Sequence, residues 1–267
     1  MAIRIMKTLV KLCNWLLIGL GILLSIQALS EYSRGPNLYR GVNHKVTGLD
    51  NSTKSFSYIV FSDPQYGLLD IVDDRGDGTV WNHDLINMKR LADKVNSIKP
   101  KPSFIFCTGD LSNAYPESPK IDNILNGFKS PYRTAQTVDL LDSLTVFNSD
   151  IPIMINAGNH DLTEDPDKLS VGAFEHVWGD TYFTFWSNGQ FFISLETQFF
   201  RSSTKETKEL LVNEIAWLED VFASVSPLIA KTVMMHVPLF IDNVNETDSD
   251  KGHSGSFNND NYVKFMF

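Results

Sequence analysis

The sequence predicts an α/β fold, a mainly parallel sheet covered on both faces by helices. Two observations carry this. Short apolar runs with strand character alternate with longer stretches of helical periodicity along most of the chain. A polar group able to hold a metal or move a proton then follows each of four strands, at Asp63, Asp110, Asn159 and His236. Ligands gather at the carboxyl ends of strands in sheets of this kind, so the placement and the fold class support each other.

The first 30 residues differ in kind from the rest. Arg4, Lys7 and Lys11 precede the uncharged run 12–29, and Ala28 and Ser30 form the small-residue pattern of signal cleavage before Glu31. The run is close to the ~20 residues that span a bilayer, so 1–30 reads as a signal peptide or, if uncleaved, a membrane anchor through 12–29. Either directs the remaining chain into the secretory pathway, as a secreted or single-pass membrane protein. Asn51-Ser52-Thr53 and Asn245-Glu246-Thr247 suit that route and make Asn51 and Asn245 candidate glycosylation sites. With Cys13 in the leader and Cys107 in an apolar strand, the mature domain has no internal disulfide to form.

Residues 31–55 are polar, hold Gly35-Pro36, and read as a linker or stalk. The domain is expected over 56–242. Residues 57–62 form a first strand; 84–98 form a helix, with Leu85, Met88, Leu91, Ala92 and Val95 at helical spacing and a stop before Pro100. A second strand follows at 104–108, a helix at 135–147, a third strand at 151–156 and a helix at 168–178. Strands 182–186 and 191–195 flank Asn188-Gly189, a strong hairpin signal. A long helix over 206–222 leads to a last strand at 231–235, and 243–267 is a polar loop and end.

Composition sets outer bounds. A length of 267 residues with 43% hydrophobic residues suits one large domain or two small ones. The net charge of -9 excludes a nucleic-acid binder that works through clustered Lys and Arg.

The polar groups at the strand ends suit one chemistry. Phosphate esters resist attack because their negative oxygens repel the nucleophile and the leaving alkoxide is poor. Two divalent cations about 3.5–4 Å apart answer both problems. They need one bridging carboxylate and terminal ligands such as Asp, Asn and His. Asp110 is the natural bridge, Asp63 a ligand for the first metal, and Asn159 and His236 ligands for the second. His160 stands beside Asn159 as the proton donor, with Asp161 expected to hold its ring. Arg133 is a candidate phosphate-binding group, because a guanidinium fork matches phosphate. Asp73, Asp77, Gly78 and Asp84 fall at four places of a calcium loop, but Arg75 occupies a ligand place. The segment reads instead as a loop shaping substrate entry.

The order Asp63-x-Gln65, Gly109-Asp110, Gly158-Asn159-His160-Asp161 and His236-x-Pro238 resembles the calcineurin-like metallophosphoesterases. The segments Ser62-Asp63-Pro64-Gln65-Tyr66-Gly67, Tyr132-Arg133-Thr134-Ala135-Gln136-Thr137 and Trp178-Gly179-Asp180-Thr181-Tyr182-Phe183 extend the likeness to a branch of animal serine/threonine phosphatases. The resemblance implies a four-layer αββα sandwich with a dinuclear metal site. It implies metal binding at Asp63, Asp110, Asn159 and His236, the acid role at His160, and two divalent ions (Mn, Mg, Fe or Zn). The expected partner is a phosphorylated substrate, a phosphoprotein or a small phosphoester. A phosphodiesterase or nucleotide pyrophosphatase shares the same core, and a catalytically dead membrane-tethered binding protein is the alternative outside enzymology.

Three departures from the family pattern are expected to matter. Gln65 stands where most of the superfamily has His; as a further candidate ligand its neutral amide oxygen favours a harder ion such as Mg²⁺ or Mn²⁺. The leader has no counterpart in cytosolic members. A Gly-His-x-His segment that completes the family site is lacking: Gly252-His253-Ser254-Gly255 has only one His. The chain therefore reads as C-terminally shortened, with an incomplete second sheet and weak activity expected.

Overall fold

The computed structural model describes residues 36–49, 54–73, 78–116, 130–202 and 204–238. The leader, both sequons, Arg75 with Asp77, and His253 lie outside the described residues. No helix among the described residues is long and apolar enough to cross a membrane.

The elements run β1 (Ile59–Phe61), α1 (Leu69–Val72), α2 (Asn82–Ser97), β2 (Ile105–Cys107), α3 (Ser130–Leu144), β3 (Ile153–Ile155), α4 (Asn159–Leu162), α5 (Lys168–Trp178), β4 (Phe183–Ser187), β5 (Gln190–Ser194), α6 (Gln198–Arg201), α7 (Lys205–Ser224) and β6 (Lys231–Met234). Strands β1, β2 and β3 pair parallel in that order, with Ile59 opposite Ile105 and Ile105 opposite Ile153. A second sheet has the order β4-β5-β6, antiparallel at the Asn188-Gly189 hairpin and parallel between β5 and β6. The expectation of one mainly parallel sheet is thereby corrected to two sheets, one parallel and one mixed, as the four-layer arrangement requires.

Side-chain alternation along the strands builds the layers. In the first sheet Ile105, Cys107, Ile153 and Ile155 pack against Met88, Ala92 and Val95 of α2 and Leu140 and Leu144 of α3. Their neighbours Phe104, Phe106 and Met154 turn the other way, onto Phe183, Phe185, Phe192 and Met234 of the second sheet. On the far side of that sheet Phe191, Ile193 and Leu195 meet Leu218 of α7. Phe185 and Phe192 stack with centroids 4.7 Å apart, and Phe104 presents its ring nearly perpendicular to both. Each such aromatic pair contributes about 0.5–1.5 kcal/mol beyond its buried area.

Residues 36–49 are not a free linker. The Tyr39 amide donates to the Ile153 carbonyl, the Val46 amide donates to the Thr184 carbonyl, and Val46 is buried with the aromatic residues between the sheets. Leu38, Tyr39 and Val46 supply enough apolar surface to fasten the strap to both sheets, which the polar average of 31–55 conceals.

Helix α3 starts five residues earlier than its apolar periodicity suggests. Pro131 sits in its first turn, where a missing N–H costs nothing. Asp167 caps α5 by accepting from the amides of Leu169 and Ser170, and the Thr204 hydroxyl accepts from the Thr207 amide at the start of α7. The three four-residue helices α1, α4 and α6 are too short to show a periodic face in sequence.

Candidate metal centre

Each expected ligand leaves the end of a strand: Asp63 after β1, Asp110 after β2, Asn159 at the start of α4 just beyond β3, and His236 after β6. The loops interlock through backbone. The Asp63 amide donates to the Gly109 carbonyl and the Gln65 amide donates to the Asp110 carbonyl. Asp63 and Asp110 both adopt φ of 55°, a left-handed conformation uncommon for non-glycine residues and frequent at functional sites. Gly109 and Gly158 lie back to back. A Cβ on Gly109 would stand 2.4 Å from the Gly158 nitrogen, and one on Gly158 would stand 2.2 Å from Asp110 Oδ1. Only glycine at both positions lets the second and third loops approach this closely.

Asp110 is the hub. It is 4% exposed; its Oδ2 accepts from Gln65 Nε2 at 3.0 Å and its Oδ1 accepts from the His160 amide at 2.9 Å. The same Oδ1 lies 3.5 Å from His236 Nε2. Ligand atoms of Asp63, Asp110 and His236 all fall within 4.8 Å of one another. Asp63 itself is exposed at the mouth.

The donor chemistry fits a cation. His236 Nδ1 sits 2.9 Å from the Thr108 carbonyl oxygen, which can only accept. Nδ1 therefore carries the proton in the neutral ring, and Nε2 offers its lone pair. That lone pair faces two further acceptors, Asp110 Oδ1 and, at 3.2 Å, Asn159 Oδ1. The Asn159 orientation is settled independently, since its Nδ2 donates to Glu164 Oε1 at 3.1 Å and to the Tyr115 hydroxyl at 3.3 Å. With the ring neutral, two oxygens and an imidazole nitrogen converge with no hydrogen between them, and their oxygen and nitrogen types suit a divalent ion. The Thr108 carbonyl fixes the ring as outer partners of metal-binding histidines do.

His160 takes its orientation from backbone. Its Nδ1 lies 2.9 Å from the Asn113 carbonyl oxygen, and the Tyr115 ring stands against it with centroids 4.3 Å apart. Burial holds its pKa below the ordinary histidine value, with the Asn113 contact opposing. Asp161 does not hold this ring, which corrects the sequence expectation. Consecutive residues on a helix point about 100° apart, and the 1%-exposed Asp161 carboxylate turns inward to accept from the amides of Leu111 and Gly158. It closes the N-terminus of α4 and welds that turn to the β2 loop. Burial raises the carboxyl pKa of both Asp110 and Asp161, countered chiefly by His236 and Arg133 respectively.

Arg133 also departs from expectation. Its Nη1 donates to the carbonyls of Ala114 and His160, its Nη2 donates to that of Asp161, and Asp161 Oδ1 lies 3.8 Å away. The fork ties α3 to the two ligand-bearing loops instead of facing a phosphate. Gln136, one turn further along α3, accepts from the Ala114 amide and secures the same loop.

Tyr115 and Glu164, the two side chains that aim Asn159, escaped the sequence reading. Tyr115 had a faint signal, an aromatic in a polar loop five residues beyond Asp110. The Asn113 and Thr108 carbonyls, being backbone, had none.

The family model for calcineurin-like phosphoesterases matches residues 56–267. The chain is 35% identical over 198 residues to the serine/threonine-protein phosphatase CPPED1 of Danio rerio, covering 72% of this chain and 60% of that protein. It is 30% identical over 198 residues to the Homo sapiens protein of the same name (72% and 59%) and 31% over 202 residues to that of Rattus norvegicus (73% and 60%). The chain thus spans about three fifths of the length of these curated relatives.

Proposed function

The chain belongs to the calcineurin-like phosphoesterase family, and on that footing we propose that it hydrolyses phosphomonoesters in a metal-dependent reaction, in the manner of a serine/threonine protein phosphatase. The observation that carries this is the convergence of Asp63, Asp110 and His236 within 4.8 Å, with Asn159 Oδ1 turned onto His236 Nε2 at 3.2 Å.

Asp63 and Asp110, with Gln65 beside them, would hold one divalent ion; Asp110, Asn159 and His236 would hold a second. Mn²⁺, Mg²⁺, Fe or Zn²⁺ all suit oxygen and imidazole donors. The chemistry supplied by such ions when bound is neutralisation of the phosphoryl oxygens and activation of water at neutral pH. Asp110 contributes one oxygen toward His236 and the other toward Gln65, which suits a bridging ligand. His160, its Nδ1–H engaged by the Asn113 carbonyl, keeps Nε2 for the leaving oxygen of the substrate; only the doubly protonated ring, which burial disfavours, has a proton on that atom to deliver. Tyr115 and Glu164 hold the Asn159 amide so that its oxygen faces the site. The substrate is a phosphoprotein or a small phosphoester. A leader at 1–30, read from the sequence, would direct the protein into the secretory pathway, a location checked by glycosidase-sensitive mobility of the expressed chain.

The test is joint measurement of bound metal and phosphate release from nitrophenyl phosphate, on the full chain prepared with Mn²⁺. Asp110→Asn is expected to lose both; turnover surviving that substitution would overturn the proposal. Preference for the nitrophenyl diester over the monoester would move the reading to a phosphodiesterase.

A further inference from the structure

Behind the metal centre, two carboxyl groups lie outside any role derived so far. Glu196 follows β5 and Glu214 is on α7; both are wholly buried. Each spends one oxygen on a backbone amide: Glu214 Oε1 accepts from the Glu196 amide at 2.7 Å, and Glu196 Oε1 accepts from the Gln198 amide at 2.9 Å. The second oxygen of each, Oε2, has no hydrogen-bond partner. Among the described residues, the charged groups that act most on Glu196 are Glu214, Asp161 of α4 and Asp110 of the β2 loop; Tyr182, ahead of β4, faces Glu214. None of these carries positive charge to balance a second carboxylate.

A buried ionised carboxylate with an unpartnered oxygen and only like charges around it is strongly disfavoured. A proton on Oε2 removes the charge, and burial accordingly pushes both carboxyls well above the ordinary range. The pair is also placed to matter. Thr197, the next residue, accepts the Val237 amide on its Oγ1 at 3.0 Å, beside His236. Gln198 Nε2 reaches the carbonyl of Thr163, which ends α4 behind Asn159, at 3.5 Å. Residues 196–198 thus back the loops of both ligands assigned to the second metal.

We propose that Glu196 and Glu214 act as a proton-holding pair of positioning residues, which locks α7 to segment 196–198 when protonated and loosens the second-metal loops when ionised. The effect on the metal loops rests on the phosphoesterase reading above; the proton-holding does not.

The sign follows from linkage. The unfolded chain releases these protons near the ordinary glutamate value of about 4.3, whereas the folded chain keeps them to higher pH. The stability they contribute is present in full below that value and is lost as pH rises through the folded pKa values. Thermal unfolding of the full, metal-free chain is measured from pH 4.5 to 8 for the wild type and for Glu196→Gln/Glu214→Gln, whose amides keep the shape without titrating. The wild-type Tm is expected to fall by about 5–10 °C more than the double variant's across that range. Parallel profiles overturn the proposal. Should the double variant not fold, infrared spectra of the wild type decide: a protonated-carboxyl band persisting at pH 7 supports the pair, and its absence overturns it. Mn²⁺ affinity tests the coupling: the wild type is expected to lose affinity relative to Glu214→Gln above the pH at which its Tm begins to fall. Divergent Tm profiles with equal pH dependence of Mn²⁺ binding would keep the proton pair and overturn its link to the metal loops. Failure of every variant to bind metal would count against the phosphoesterase reading and that link alone.

Discussion

The Nδ1 atom of His160 lies 2.9 Å from the carbonyl oxygen of Asn113, so the orientation of the candidate acid is set by a peptide group in the β2 loop. Asp161, next in sequence, serves the backbone instead. The two residues are therefore separable by substitution. His160→Ala is expected to lower turnover of nitrophenyl phosphate roughly 10²–10⁴-fold with little change in unfolding midpoint. Asp161→Asn is expected to cost roughly 2–4 kcal/mol of stability while the folded fraction keeps turnover within about tenfold of wild type. Denaturant unfolding read beside kinetics distinguishes them. Equal kinetic losses without destabilisation would restore Asp161 to the proton relay.

Arg133 is expected to behave as a structural clamp. Removing its fork leaves the carbonyls of Ala114, His160 and Asp161 without their donor, so Arg133→Ala should cost roughly 2–4 kcal/mol. Lysine recovers only part of this, because an ammonium cannot reproduce the planar fork. The KM for nitrophenyl phosphate should stay within about threefold of wild type, since no substrate charge is being removed. A tenfold rise in KM at unchanged stability would return Arg133 to the phosphate.

Gly158→Ala tests the close approach of the ligand loops. Its Cβ would press within 2.2 Å of Asp110 Oδ1 and 2.5 Å of the Asp110 nitrogen, so the bridging carboxylate must move. Affinity for Mn²⁺, read by equilibrium titration, is expected to fall at least tenfold, a loss of about 1.4 kcal/mol. Gly172, with open space where its Cβ would stand, is the control.

Cys107 lies wholly buried in β2, and burial drives its thiol pKa far up, out of the thiolate range. Thiolate is the reactive form, so peptide mapping should find Cys107 unmodified by iodoacetamide in the folded chain and fully modified in denaturant.

Much of this molecule was legible in its sequence because periodicity survives wherever an element is long. Helix α5 covers the expected 168–178, and the Asn188-Gly189 turn falls inside the β4–β5 hairpin. Order along the chain likewise pointed to Asp63, Asp110, Asn159 and His236, which the fold brings to one end of its strands. Three features were hidden for physical reasons. Two facing sheets and one double-covered sheet give the same alternation of strands and helices, and only side-chain contacts such as Phe104 with Phe185 and Phe192 separate them. Adjacency in sequence suggested an Asp161–His160 partnership that the helical turn of α4 prevents. The strap at 36–49 fastens through a few apolar side chains and backbone bonds in a polar stretch, too sparse a pattern for a composition average to register.

The aromatic layer between the sheets has a consequence for biosynthesis. Phe104 and Phe106 leave the ribosome long before Phe185 and Phe192 exist to cover them, and Met234 of β6 arrives later still. A nascent chain extending only to β3 presents an apolar sheet face with nothing to lay against it. Contacts that join such distant segments also form slowly once the parts are available. Emerging chains of this protein are therefore natural clients for holding chaperones, and conditions that stall translation between β3 and β5 should drive it into aggregates sooner than any fault in its metal site.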